Sequence, residues 1–179
     1  MTSVAYAVDS DGVATLVWDM PDRTMNVLNK ESVADYEAAV NRAIDDPAVK
    51  GVVVTSGKPA FIAGADLPWL EILTQRGTGE SYEAHAKRLY DNLMKSQLLF
   101  RKIEKSTKPF AAAINGTAAG GGFEVCLACH RRIASDDPRI QLGLPESKVG
   151  LLPAAAGSRI SFACLARRRR CRCSWKAAC

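Results

Sequence analysis

The chain has 179 residues, 47% of them hydrophobic and 24% charged, with a formal net charge of +5. This length suits one domain with a real core, and no apolar run approaches the roughly 20 residues that a membrane-spanning helix needs. The charge excess is local, because residues 163–179 hold six Lys or Arg and no Asp or Glu. Four of the six cysteines (Cys164, Cys171, Cys173 and Cys179) lie in the same segment, leaving Cys126 and Cys129 in the body. That distribution excludes a disulfide framework. The N-terminus lacks a basic segment followed by an apolar one, so no signal peptide is expected and a cytoplasmic location is.

Two β-rich runs, 4–8 and 13–18, flank Asp9-Ser10-Asp11-Gly12 and predict a hairpin. The irregular stretch 20–26 reads as a loop. Over 30–45 the residues Val33, Tyr36, Val40 and Ile44 share one helical face, with Asn29 as N-cap and Pro47 just past the end. Residues 51–56 form a continuous apolar strand, expected to be buried on both faces. The small-residue turn Phe61-Ile62-Ala63-Gly64-Ala65-Asp66 then leads into a predicted helix over 67–75, for which Asp66 is the expected N-cap. Residues 76–80 make a flexible break. Ser81 caps a long predicted helix to about residue 106, with an apolar face of Tyr82, Ala86, Leu89, Leu93, Phe100 and Ile103.

The central stretch begins with Pro109 and a short apolar strand over 110–114. It stops at the turn pair Asn115-Gly116 and meets three consecutive glycines, Gly120 to Gly122. Helical spacing follows, with Val125, Leu127, Ala128 and Ile133 in reach of one core. Glycines let backbone N–H groups approach a ligand closely, and a helix start adds unpaired donors and partial positive charge. Such a place stabilises negative charge. Residues 132–135 predict another strand, Asp136-Asp137-Pro138 turns the chain, and 140–142 leads to Gly143-Leu144-Pro145-Glu146. The element order indicates an α/β protein whose ligand site lies where loops meet helix starts.

Two small-residue loops, Ala63-Gly64-Ala65-Asp66 and Gly120-Gly121-Gly122, each lead from a strand to a helix. One N–H from each could converge on a single oxygen and form an oxyanion hole. Two carboxylates, Glu124 and Glu146, follow the second loop.

In this order the stretches closely resemble the crotonase (enoyl-CoA hydratase/isomerase) family. The resemblance is carried by residues 20–29, by Phe61-Ile62-Ala63-Gly64-Ala65-Asp66-Leu67, by Ile114-Asn115-Gly116 through Glu124, and by Leu144-Pro145-Glu146 with Gly150-Leu151-Leu152-Pro153. It covers about residues 4–160. Its wording is most similar to the N-terminal hydratase domain of the multifunctional α subunits of fatty-acid oxidation complexes. It implies an α/β fold, a crotonase-like ββα spiral superhelix incomplete at the C-terminus. It also implies an acyl-CoA thioester bound along Ala63, Gly64, Ala65, Asp66, Gly120 and Gly121. By match, the N–H groups of Ala63 and Gly121 form the oxyanion hole. Glu124 then orients and deprotonates the water that attacks Cβ, and Glu146 supplies the proton at Cα. The implied reaction is hydration of a trans-2-enoyl-CoA to a 3-hydroxyacyl-CoA in fatty-acid β-oxidation. Related isomerases typically keep only the carboxylate at the Glu146 position, so the presence of both favours hydration. No metal or redox cofactor is implied, since coenzyme A is part of the substrate. The family also suggests a homotrimer or a β-oxidation complex, with neither nucleic acid nor membrane as partner.

Three features invite other readings. Cys126-Leu127-Ala128-Cys129-His130 spells a c-type haem attachment motif, but attachment needs export and an exposed segment, so buried structural thiols are expected. Zinc ligation there would need further ligands, and His85 is the only other histidine. The run Arg167-Arg168-Arg169-Arg170-Cys171-Arg172-Cys173 has no amphipathic period and little aromatic interleaving. The expected division is a partial hydratase domain over 1–162 and a basic tail over 163–179 foreign to the fold, as a reading-frame change near residues 160–166 would produce. The family's covering helices lie beyond that point. The alternative to an enzyme is therefore a non-catalytic remnant that at most binds acyl-CoA.

Overall fold

Burial in three neighbouring strands alternates residue by residue, which places a single covered sheet face at the centre of the molecule. The computed structural model describes residues 2–153; the predicted tail lies outside the described residues. Strands β1 (Val4–Val8) and β2 (Val13–Trp18) form the expected antiparallel hairpin. Strands β3 (Gly51–Ser56), β4 (Phe110–Ile114) and a later strand at Arg131–Ala134 add to β2 in parallel. Parallel neighbours require crossover connections. Helix α1 (Lys30–Asp45) joins β2 to β3, and α2 (Leu67–Thr74) with α3 (Tyr82–Glu104) joins β3 to β4. The short strand β5 (Ala118–Ala119) and helix α4 (Gly121–Ala128) lead to β6 (Arg131–Ala134). Sheet order is β1-β2-β3-β4-β6, and β5 pairs in parallel with β7 (Leu142–Gly143) in a second, two-stranded sheet. A 3-10 turn over Glu146–Val149 follows.

The covered face carries Ala14, Leu16 and Trp18 from β2, Val52 and Val54 from β3, and Phe110, Ala112 and Ile114 from β4. Full burial of a large apolar side chain contributes about 1.5–3 kcal/mol. Residues 51–56 are therefore not buried on both faces as the sequence predicts, because Gly51, Val53 and Thr55 are only half-buried. Helix α1 forms as expected, with a reciprocal capping box between Asn29 and Ser32 and with Tyr36 and Val40 buried. Helix α4 is buried throughout from Gly122 to Ala128, as a helix at the centre of a core must be.

The long helix α3 departs from expectation. Only Leu99, Phe100 and Ile103 near its C-terminal end are buried, whereas Tyr82 is 75% exposed and Leu93 45%. The apolar stripe outruns the core that covers it among the described residues. Ile133 lies in β6 and is 66% exposed, so it does not share the core of α4. Cys126 and Cys129 are buried, and each thiol donates to the carbonyl four residues earlier. Burial pushes the Cys129 thiol up to about 12 and raises Cys126 strongly as well. His130 accepts the Phe110 N–H at Nδ1, 3.0 Å away. These residues behave as packing groups.

A Cβ at Gly116 would overlap the Pro59 carbonyl oxygen and crowd the Ala60 backbone, neither of which can swing aside. Gly116→Ala is predicted to lower Tm by roughly 5–10 °C or to abolish soluble expression. Gly143→Ala, which meets open space, should leave Tm within about a degree. Thermal melts of the two variants check both outcomes.

Candidate active site

The two small-residue loops identified in the sequence touch. Phe61 N–H donates to Thr117 C=O (3.0 Å), and Ala119 N–H donates to Ile62 C=O (3.2 Å). Gly122 packs so tightly against Ile62 that a Cβ would collide with its carbonyl oxygen. The start of α4 is thereby pressed against the 61–65 loop by main chain meeting main chain.

Within that loop, hydrogen bonds to the neighbouring 26–28 segment decide where each N–H points. Ala63 N–H donates to Asn26 C=O (2.9 Å) and Asp66 N–H to Leu28 C=O (2.8 Å), while Leu28 N–H donates to Gly64 C=O (2.8 Å). In an extended chain, groups two residues apart point the same way. Residues 63 and 66 both face the 26–28 segment, so the alternation is broken between them. Gly64 breaks it, with φ of +106°. The N–H groups of Gly64 and Ala65 have no acceptor among the described residues, and Ala65 is the more accessible of the two.

The glycine loop has a matching feature. Gly120 has φ of +53° and ψ of −132°, and its carbonyl takes the Phe123 and Glu124 N–H groups (2.8 and 3.0 Å). The N–H groups of Gly121 and Gly122 open α4 with no acceptor among the described residues, and Gly121 is the accessible one. They add the positive end of a helix dipole.

Both predicted carboxylates flank this turn. Glu124 lies in the first turn of α4 and is only 4% exposed. Its Oε2 is 3.8 Å from the position a Cβ would take on Gly121, while Glu146 Oε1 is 3.3 Å from that position on Gly120. The Oε2 of Glu146 is buried without a hydrogen-bond partner among the described residues. Burial raises the carboxyl pKa of Glu146; its own backbone N–H opposes this, and the charge of Glu124 adds to the rise. Among the described residues, no group of three or more His, Cys, Asp or Glu side chains is placed to share a metal ion.

The sequence profile of the family described as enoyl-CoA hydratase/isomerase matches residues 9–169. The chain belongs to that family. The fatty acid oxidation complex subunit alpha of Idiomarina loihiensis is 40% identical over 153 residues, which is 85% of this chain and 20% of that protein. The protein of the same name from Acinetobacter baylyi is 36% identical over 149 residues. The chain thus spans about a fifth of the length of these curated relatives. A crystal structure of an enoyl-CoA hydratase/isomerase (crotonase) from Legionella pneumophila superposes with a TM-score of 0.77 at 26% identity, covering 94% of this chain and 60% of that one. An enoyl-CoA hydratase structure from Geobacillus kaustophilus gives 0.77 at 25% identity, covering 94% and 59%. The fold is that of the crotonases.

Placed on this crotonase, two sequence expectations need correction. Ala63 is not an available oxyanion donor, because its N–H is held by Asn26; Ala65, two residues on, carries the free amide. Asp66 occupies the N-cap position of α2 but makes no side-chain cap bond. Its carboxylate instead pairs with the Arg23 guanidinium at 2.9 Å, tying the 20–29 loop to the start of α2. Asn26, fully buried, stands in the sequence as one polar residue of the 20–29 loop. Its signal was a polar residue that would have to be buried, which composition does not reveal.

The raised pKa of Glu146 predicts a pH dependence of stability. The folded state holds the proton more tightly than the unfolded chain, whose Glu value is about 4.3. This contribution is fully present below that value and is lost as pH rises through the elevated folded pKa. Glu146→Gln should therefore raise Tm by a few degrees at pH 8, with the gain shrinking toward pH 4. Calorimetry across that range checks it.

Proposed function

We propose that this crotonase adds water to a trans-2-enoyl-CoA thioester, giving the 3-hydroxyacyl-CoA, as a step of fatty-acid β-oxidation. The observation that carries the reading is the placement of two carboxyl groups on either side of Gly120-Gly121, beside two accessible amides that have no acceptor among the described residues. A carboxyl whose pKa is raised by burial, as at Glu146, suits the part of proton donor. The names of the relatives support fatty-acid oxidation as the setting.

The thioester oxygen accepts hydrogen bonds from the N–H groups of Ala65 and Gly121, which draw charge from the conjugated system and make Cβ electrophilic. Glu124 removes a proton from water as its oxygen bonds to Cβ. The electron pair of the double bond moves toward Cα and the carbonyl, giving enolate character that the two amides stabilise. Glu146, whose pKa is raised by burial and by the charge of Glu124, delivers a proton to Cα. Afterwards Glu124 holds the proton taken from water and Glu146 is ionised. Proton transfer between them through a water molecule restores the starting state. The buried Oε2 of Glu146 lacks a partner among the described residues, as suits a group that works on a ligand.

Loss of enoyl absorbance on adding crotonyl-CoA to the purified 179-residue chain tests the reading. Glu124→Gln and Glu146→Gln should each lower kcat by about 10²–10⁴-fold. Binding of butyryl-CoA without any hydration of crotonyl-CoA would contradict the proposed activity. So would glutamine variants that turn over like the parent.

A further inference from the structure

We propose that Asn26 is a positioning residue that aims the Ala65 amide, acting through the main chain without touching substrate. The inference rests on the hydratase reading above. Asn26 is fully buried, and its side chain is bonded on both ends. Oδ1 accepts the Met20 N–H at 3.0 Å. Nδ2 donates to Trp18 C=O and Ser56 Oγ, both at 2.9 Å, and to Phe61 C=O at 3.2 Å. Its own carbonyl takes the Ala63 N–H at 2.9 Å.

These five contacts join the end of β2, the end of β3 and the loop that carries the free amide. Ser56 extends the set, because its hydroxyl also donates to Ala60 C=O at 2.7 Å and accepts the Lys58 N–H at 3.0 Å. The loop is therefore gripped at residues 60, 61 and 63, just before Gly64 reverses the alternation. With residues 61 and 63 fixed, the turn at Gly64 leaves Ala65 N–H facing away from the 26–28 segment. Release at Asn26 frees the Phe61 carbonyl and loosens the segment upstream of Gly64. An oxyanion donor displaced by about 1 Å loses most of its effect on the reaction. The Asn26 side chain reaches this loop directly at the Phe61 carbonyl and, through Ser56 Oγ, at the Ala60 carbonyl, while its main chain holds Ala63.

Infrared difference spectroscopy of bound butyryl-CoA, labelled with 13C at the thioester carbonyl, tests this, because a saturated acyl group cannot be hydrated. In the parent chain the carbonyl stretch should move to lower frequency on binding. Asn26→Ala should diminish that shift and lower kcat for crotonyl-CoA by roughly 10–100-fold, while KM changes by less than about threefold. Asn26→Asp keeps the side-chain volume and the Met20 contact but loses the donors. It should behave alike at neutral pH and serves if the alanine variant does not fold. Val40→Ala, a buried position on α1, should lower Tm yet keep the full shift and kcat. A full shift with parental kcat in either Asn26 variant, or a diminished shift in Val40→Ala, would overturn the positioning role alone. Absence of any shift in the parent chain would overturn the hydratase reading, and the positioning role with it.

Discussion

Close contact between two stretches of main chain is the constraint on which the rest of this structure depends. The 59–62 segment and the 116–122 segment approach until only glycine fits at Gly116 and Gly122, with paired amides at Phe61 and Ala119 holding the seam. The segments are more than fifty residues apart in the chain, so their meeting is a product of the whole parallel sheet. Strands β3 and β4 run side by side and deliver both loops to the same end. Alanine at Gly122 would push the start of α4, with its acceptor-free amides and Glu124, away from Ala65. Contact at the backbone level is what makes two remote turns into one site.

Electrostatics then gives that site its direction. A half-buried carboxyl next to a second carboxyl is a local cost to stability, visible in the raised pKa of Glu146 and in its buried oxygen without a partner among the described residues. A fold selected for stability alone would replace or pair this group. In the proposed reaction that cost becomes useful, because a carboxyl that resists ionisation can give its proton to carbon. The thiols of Cys126 and Cys129 illustrate the opposite case. They too are buried and raised in pKa, but each is bonded to its own helix and faces the core.

Much of this was legible in the letters. The hairpin, α1 with its Asn29 cap, the glycine loop opening α4, and the nearness of Glu124 to that loop follow from spacing and residue type, whereas the place of Glu146 came from the family resemblance. The errors share a cause, which is that pattern cannot report what lies opposite. The covered face of β3 depends on where helices pack, so a uniformly apolar run concealed an alternating burial. The exposed half of α3 has the same periodicity as its buried half and differs only in having nothing over it among the described residues. Asp66 is a good cap by type, yet Arg23, forty-three residues earlier, offers its carboxylate a charged partner. The shift from Ala63 to Ala65 is subtler. A single glycine with positive φ reverses which amides face inward, and the sequence shows the glycine but not the sign of its torsion.

Asn26 extends that lesson to the second shell of structure. It was readable as a loop residue among others, because its importance lies in the number of segments that end on it. The central claim of the account is that the amides of Ala65 and Gly121 address one oxygen lying between the two carboxyl groups. A crystal structure of the chain with a bound 3-hydroxybutyryl-CoA measures this most directly. The account predicts the thioester oxygen within about 2.7–3.1 Å of both nitrogens, with the 3-hydroxyl near Glu124 and Cα near Glu146. A thioester held by only one of these amides, or lying away from the two glutamates, would contradict it.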